Sequence, residues 1–462
     1  MRKTALGLCL LGALASPAYA TQTQTEAQRI AALEAKVQAL ETEIQQLKAA
    51  PAGAAAQQPA SAAPASSAVA GDTTQSELDA LAATPEESAT NDTAAVAAPP
   101  ADSGGSNANA FNPAISIILN GSYSHHSLDP DAYARSGFPL AGGAGPSPDG
   151  FSLGESEVSF ASNIDDKFYG QLTLTAESED GEDHVGVEEA FIDTTSLPAN
   201  LSIRAGRFYS NIGYLNSHHA HTDNFFDRPL AYQAFLGNQY GDDGVQLRWV
   251  APTSMFLEVG GELFRGSNFP SGGAQHDGVG TRTLFAHAGG DVGTENSWLA
   301  GVSMLKTKSE NAEDGFSGDT TLYVADGTWK WAPNGNTKDG GITLRGEYFL
   351  DDRDGLFADP ADPLLTAVWN GQRHGAYLEG VWRVNRTWDI GYRYDKLWAD
   401  DEGPVASAFD PYRHSVEATW RNSEFSLIRV QLSHDKPNPD DSDNAVTVQY
   451  QTSLGAHGAH KF

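Results

Sequence analysis

From Ile115 to Phe462 apolar and polar residues alternate with a period of two. Phe168, Leu172 and Leu174 interleave with Tyr169, Gln171 and Thr173, and Ile342, Leu344, Tyr348 and Leu350 with Thr343, Arg345 and Glu347. Trp388, Ile390, Tyr392 and Tyr394 interleave with Asp389, Arg393 and Asp395, and Val446, Val448 and Tyr450 with Thr447, Gln449 and Gln451. That period belongs to a β-strand with one apolar and one polar face. About sixteen strands are predicted, centred near residues 119, 157, 172, 189, 204, 248, 260, 286, 301, 326, 346, 379, 392, 417, 429 and 448.

The connections decide which face meets water. Short ones (163–166, 195–200, 251–253, 384–386, 421–423) interleave with long ones near 124–150, 208–243, 266–280, 306–319, 352–373 and 399–412. Short turns at one end and long loops at the other are the arrangement of a membrane barrel, with the short side periplasmic. A soluble sandwich has no reason to keep that alternation in phase. The fold predicted for 111–462 is therefore all-β: a transmembrane antiparallel β-barrel, apolar face to lipid, whose size leaves an aqueous lumen unless something fills it.

The long stretch 208–243 has no period-two pattern and is too rich in Phe, Tyr, Leu and Ile for a solvated linker. It is the third long loop, and is expected to fold inward, anchored by Ile212, Leu215, Phe225, Phe226, Leu230 and Phe235. The strand residues expected to line the pore are Glu258, Glu262, Arg345, Glu347, Glu379, Arg383, Arg393 and Asp395.

The amino-terminal part reads differently. Residues 1–20 have the form of a secretory signal: Arg2 and Lys3, an apolar run and Ala18-Tyr19-Ala20. In 21–50 the spacing of Ile30, Leu33, Val37, Leu40, Ile44 and Leu47 puts β-branched residues at a and leucines at d of a short periplasmic coiled coil. Arg29 with Glu34, Lys36 with Glu41 and Glu43 with Lys48 are opposite in sign across two parallel chains, so self-association is expected. The a and d residues alone suggest a dimer; a symmetric assembly of barrels favours a homotrimer. Residues 51–110, rich in Ala, Pro and Ser, form a disordered linker.

Charge narrows the partners. The formal net charge is −31, and residues 111–462 hold 49 acidic and 24 basic residues. Nucleic acid is excluded, and a cavity lined by such an excess of carboxylates favours cations. The single cysteine, Cys9, lies in the signal, so no disulfide or thiolate site follows. Histidines cluster instead. His218, His219, His221 and Asp223 offer three imidazoles and a carboxylate from one loop, and His457 with His460 form a second, weaker pair. Imidazole is a general transition-metal ligand, so either group could hold zinc or another divalent ion transiently. No cofactor is required. Ser, His and Asp occur without a nucleophile elbow or phosphate loop, so no enzyme is expected.

At Asn112-Pro113-Ala114-Ile115, at Leu236 to Gln246 (LGNQYGDDGVQ) and at the His-containing carboxy terminus, the sequence resembles a proteobacterial outer-membrane family labelled zinc-regulated TonB-dependent receptors. The resemblance covers the barrel, about three quarters of the chain; the layout of coiled coil, tether and barrel also resembles that of phosphate-selective porins. Anion porins need a basic lumen, however, and a TonB-dependent receptor needs a folded plug and a barrel of about 22 strands, which residues 51–110 and 111–462 do not offer. No functional residues are carried over.

The reading that results is a porin-like channel for small cations or metal complexes in the outer membrane of a Gram-negative bacterium, with outer-membrane lipid, lipopolysaccharide and copies of itself as partners. A TonB-coupled metal receptor without a standard plug and a structural outer-membrane tether are the alternatives, TonB coupling being the less favoured.

Overall fold

The structure is a computed structural model. It describes residues 113–455 apart from 142, 180–181, 273–277, 310–312, 359–363, 365 and 401–407, with backbone alone at 178–179 and 182–183. The signal, the coiled-coil residues Ile30 to Leu47, the linker, His457 and His460 lie outside the described residues.

The strands are β1 (Ala114–His125), β2 (Gly150–Leu153), β3 (Ser156–Asn163), β4 (Phe168–Glu179), β5 (Glu182–Thr194), β6 (Leu201–Tyr209), β7 (Gly241–Val250), β8 (Phe256–Phe264) and β9 (Thr281–Val292). They continue as β10 (Asn296–Ser309), β11 (Phe316–Trp331), β12 (Gly341–Ala358), β13 (Thr366–Arg383), β14 (Trp388–Ala399), β15 (Tyr412–Ser423), β16 (Ser426–Lys436) and β17 (Asp443–Gly455). Neighbours in sequence pair antiparallel, and β17 pairs with β1 from Ser116↔Gly455 to His125↔Val446, so the sheet closes on itself. Both β2 and β3 lie along β1, at Gly121–Ser124 and Ala114–Ile118, and are one stave interrupted at Gly154-Glu155. The barrel therefore has sixteen staves, and every expected strand centre falls within one of them.

Alternation sets the faces. Leu284, Val302, Leu378, Val416 and Leu432 point outward and are exposed, while their strand neighbours Thr283, Ser303, Glu379, Glu417 and Gln431 point inward and are buried. A continuous apolar band around a closed barrel is untenable in water and belongs in lipid. Trp249, Trp298, Trp329, Trp382, Trp388 and Trp420 all lie close to the short turns, and Trp388 and Trp420 face each other across β14 and β15 with ring centroids 6.5 Å apart. This is an interfacial aromatic girdle, and the short turns beside it make its side the periplasmic one.

The main departure is at the opposite end. Strands β10 and β11 run for 14 and 16 residues and β12 and β13 for 18 each, so the loops expected at 306–319 and 352–373 shrink to 310–315 and 359–365. Here Asp352 and Asp354 take outward positions between the apolar Leu350 and Leu356, because the strands continue past the lipid; the ladder persists where the apolar half of the pattern is interrupted.

Candidate functional site: the lumen and its inward loop

The chain leaves β6 at Tyr209 and returns at Gly241, and residues 210–240 between them fold into the barrel. Asn216 holds the neck closed: its Nδ2 donates to the carbonyls of Ser210 (2.8 Å) and Tyr240 (2.7 Å), and its Oδ1 accepts from Tyr240 N (2.7 Å). Gly213 takes φ 65°, where a Cβ would meet the Glu347 carboxylate and lie 2.8 Å from the Tyr232 hydroxyl. The short helix α1 (Leu230–Leu236) ends at Gly237 in the left-handed conformation, and all seven of its residues are buried against β12, β13 and β14. Tyr232 and Phe235 pack on Phe349, with centroids 5.0 and 6.1 Å away. Of the expected apolar anchors, Ile212, Leu215, Phe225, Leu230 and Phe235 are buried and Phe226 is half-buried. The first long loop also turns inward, a feature the sequence pattern did not suggest: Phe138 sits 6.0 Å from Phe235, and Arg135 donates to Gln233 (2.6 Å).

The eight residues expected to line the pore stand on the inward face, but most lie beneath the loop rather than along open water. Glu347 accepts from Tyr214 N (2.9 Å), Leu215 N (3.2 Å), Tyr232 Oη (2.9 Å) and Tyr377 Oη (2.7 Å). Glu262 accepts from Asn211 N (2.9 Å) and Ser210 Oγ (2.5 Å), Glu379 from Asn224 Nδ2 (3.0 Å) and from Arg345 (3.0 Å), and Asp395 from Leu230 N (3.1 Å) and Arg393 (2.8 Å). Arg393 reaches loop residue Asp227 at 3.0 Å. Glu258 lies 3.4 Å from both Arg248 and His287, and Arg383 donates to Asp389 (3.0 Å). The alternation tells which way a side chain points; it does not tell what stands in front of it.

The four loop residues expected to share a metal do not converge. His218 stacks on Tyr214 and its Nδ1 donates to Tyr214 O (2.8 Å), while Asp223 pairs with Arg228 (2.8 Å). His219 and His221 instead cross to the opposite wall. His221 Nδ1 lies 2.7 Å from Glu157 Oε1, His219 Nε2 donates to Glu189 Oε2 (3.0 Å), and His219 Nδ1 lies 3.1 Å from both Glu157 Oε2 and Glu188 Oε1. Burial alone would push the His219 imidazole down, but the carboxylates of Glu157 and Glu188 outweigh it and hold its pKa well above the usual histidine value.

Two irregularities in the wall bring these acids together. Between Thr173 and Leu174 the β4–β5 register slips: Thr173 faces Glu189 and Leu174 faces Val187, leaving Glu188 as the extra residue of a bulge. Glu188 and Glu189 are therefore both available to the lumen, where a regular strand would send one to lipid. On the interrupted stave, Glu155 sits in the break before β3 and its carboxylate groups with those of Glu157 and Glu188. Sequence reasoning passed over Glu155, Glu188 and Glu189, yet a signal is present. The outward apolar residues fall at Val185 and Val187 and then at Ala190 and Ile192, a slip of one in the alternation.

The lumen is thus polarised. Arg345, Arg393, Arg413 and Arg429 project from β12, β14, β15 and β16, and the loop leans on them through Asp227 and the Asp223 carbonyl. Glu155, Glu157, Glu188 and Glu189 face them from β3, the break before it, and β5. Beside this acidic group Ser116, Asn120, Ser159, Gln171 and Thr175 point inward from β1, β3 and β4 and remain only half-buried.

No family model matches the chain. An uncharacterized protein of Aquifex aeolicus (strain VF5) is 28% identical over 342 residues, 68% of this chain and 70% of that one. Among solved structures, OmpF of Salmonella typhi in complex with daunomycin superposes with a TM-score of 0.50 at 13% identity, over 75% of this chain and 99% of that one. The anion-selective porin of Comamonas acidovorans gives 0.48 at 11%, over 74% and 99%, and the outer-membrane channel DcaP of Acinetobacter baumannii 0.47 at 10%, over 74% and 97%. At these identities the likeness is one of fold, and that fold is the outer-membrane porin barrel. The zinc-regulated receptor label gains no support from any of these proteins.

Proposed function

We propose that the protein is a passive, non-enzymatic outer-membrane channel for small cations, self-associating as a homotrimer through its amino-terminal helices. One observation carries the reading. The loop is seated on the arginine-bearing wall of β12 to β16, which leaves half-buried polar side chains, Ser116, Asn120, Ser159, Gln171 and Thr175, as the opposite margin of the lumen. A solute crossing there passes beside the group of Glu155, Glu157, Glu188 and Glu189, whose four carboxylates outnumber the two loop histidines laid on them, while the arginines are matched by their own acid partners and covered by the loop; such a passage repels anions. Outer-membrane lipid and lipopolysaccharide are the surroundings its apolar band requires.

The test is planar-bilayer recording in a KCl gradient. Stepwise conductance with a cation-selective reversal potential is expected; anion preference overturns the selectivity, and silence of correctly folded protein overturns the channel in favour of a coupled receptor or a structural tether.

A further inference from the structure

The carboxylates of the third-loop contact have an arrangement that simple ion pairing does not need. His219 gives its Nε2 proton to Glu189 (3.0 Å), which fixes the imidazole so that Nδ1 faces away from that bond. Nδ1 then sits 3.1 Å from Glu157 Oε2 and 3.1 Å from Glu188 Oε1, with hydrogen-bond geometry to neither. Ligand atoms about 2.1 Å from a common ion are held about 3.0–3.4 Å apart, so the Nδ1–Oε2 and Nδ1–Oε1 spacings each fit a pair of ligands on one cation. A histidine ligand whose second nitrogen donates to a carboxylate is also the usual outer-shell device that orients the ring and raises its basicity.

A second observation points the same way. The Glu188 side chain is 5% exposed, its Oε1 accepts from the Tyr209 hydroxyl (2.6 Å), and its Oε2 has no hydrogen-bond partner among the described residues. A buried carboxylate oxygen left without a partner is costly, and His219 Nδ1 beside it is likewise without a hydrogen bond. It lies in the group formed by Glu155, Glu157 and Glu188, whose oxygens are within 4.8 Å of one another; Glu157 belongs equally to the group formed with His219 and His221. The two sets share Glu157, and the strand bulge and the strand break bring Glu188 and Glu155 to it.

We propose that Glu157, Glu188 and His219, completed by Glu155 and His221, bind a first-row divalent transition-metal cation inside the barrel, joining the inward loop to the β3–β5 wall. Mixed imidazole and carboxylate donors select this class over calcium and magnesium, which take oxygen alone. The site differs from the one the loop sequence suggested, since His218 and Asp223 are engaged elsewhere and four of the six participating or supporting side chains come from the barrel wall. It does not depend on whether the barrel conducts.

The experiment is Co(II) titration of the full-length protein refolded in detergent, read by its visible d–d absorption, with calcium as competitor. One equivalent per chain is expected, unaffected by excess calcium. Glu188→Gln, nearly isosteric, and His221→Gln should each weaken Co(II) binding about tenfold or more, and His219→Ala should abolish it; His218→Ala should leave it intact. Heat-modifiable mobility on a gel confirms that each variant has folded. No uptake by the parent, or uptake equal in the parent and in folded Glu188→Gln and His219→Ala proteins, overturns the proposal.

Discussion

The hydroxyl of Tyr232, on the inward helix, donates to the carboxylate of Glu347, on the wall, at 2.9 and 3.0 Å to its two oxygens. The same carboxylate takes the backbone N–H groups of Tyr214 and Leu215, where the loop enters the barrel. One acidic residue therefore fastens both the start of the loop and its helix.

Replacing Glu347 with Ala leaves two buried N–H groups and two tyrosine hydroxyls without their acceptor, at about 1–3 kcal/mol for each group not rescued by water. The barrel, held by its ladders, should still form, but the loop should lose its seat. Single-channel records are expected to show larger or noisier conductance than the parent. Identical records from a folded variant would mean the apolar contacts of α1 suffice.

Asp227 carries the corresponding tie to β14 and β15, accepting from Arg393 (3.0 Å), from Arg413 and from Gln431 (2.8 Å). Burial would raise its pKa, but the two guanidiniums prevail and lower it from 3.8 to about 2. A carboxyl depressed in this way stabilises the seated loop fully above its ordinary pKa, and the contribution, about 2 kcal/mol, is lost as pH falls through about 4 towards 2. Channel noise should rise over that interval in the parent and change less in Asp227→Asn, which is expected to be noisier than the parent at neutral pH. A pH response equal in both proteins would remove the role assigned to Asp227.

The half-buried margin gives a selectivity test. Thr175→Lys places a cation beside the acidic group, on the side where solutes are proposed to pass, and should lower the cation-to-anion permeability ratio several-fold by opposing the negative potential. Lys306→Gln, on the outward face, should leave the ratio unchanged. A reversal potential unaltered by Thr175→Lys would put the passage elsewhere in the lumen.

The outward face can be tested by depth. Val416 lies mid-strand on β15 facing out, and Val416→Arg should destabilise folding into lipid vesicles by about 2–4 kcal/mol, whereas Trp420→Arg, near the periplasmic turn, should cost less. Equal costs in a urea titration would contradict the assigned lipid boundary.

Much of this was legible in the chain because lipid demands apolar residues at alternate positions, and that demand is written into segments such as Trp388 to Tyr394. The inward loop was legible from a run too apolar for water and too irregular for a strand. What the pattern could not supply is long-range pairing. Nothing in the alternation says that Glu347 and Glu262 face a folded loop instead of open water, or that Asp227 in the loop has Arg393 on β14 for a partner. The acids that meet His219 escaped because the period-two reading treats a slip as noise, although the spacing of Val187 and Ala190 records it.

That slip also lets strand β5 lose one particular residue and keep its faces. Leu174 already faces Val187 and Thr175 faces Gly186, so a chain without Glu188 would set Val187 beside Glu189 in regular alternation, with Val185 and Val187 still toward hydrocarbon and Glu189 still inward. The barrel would close as before. What would vanish is one of the two adjacent acids that the lumen receives from this strand, so the extra residue serves the interior and not the ladder.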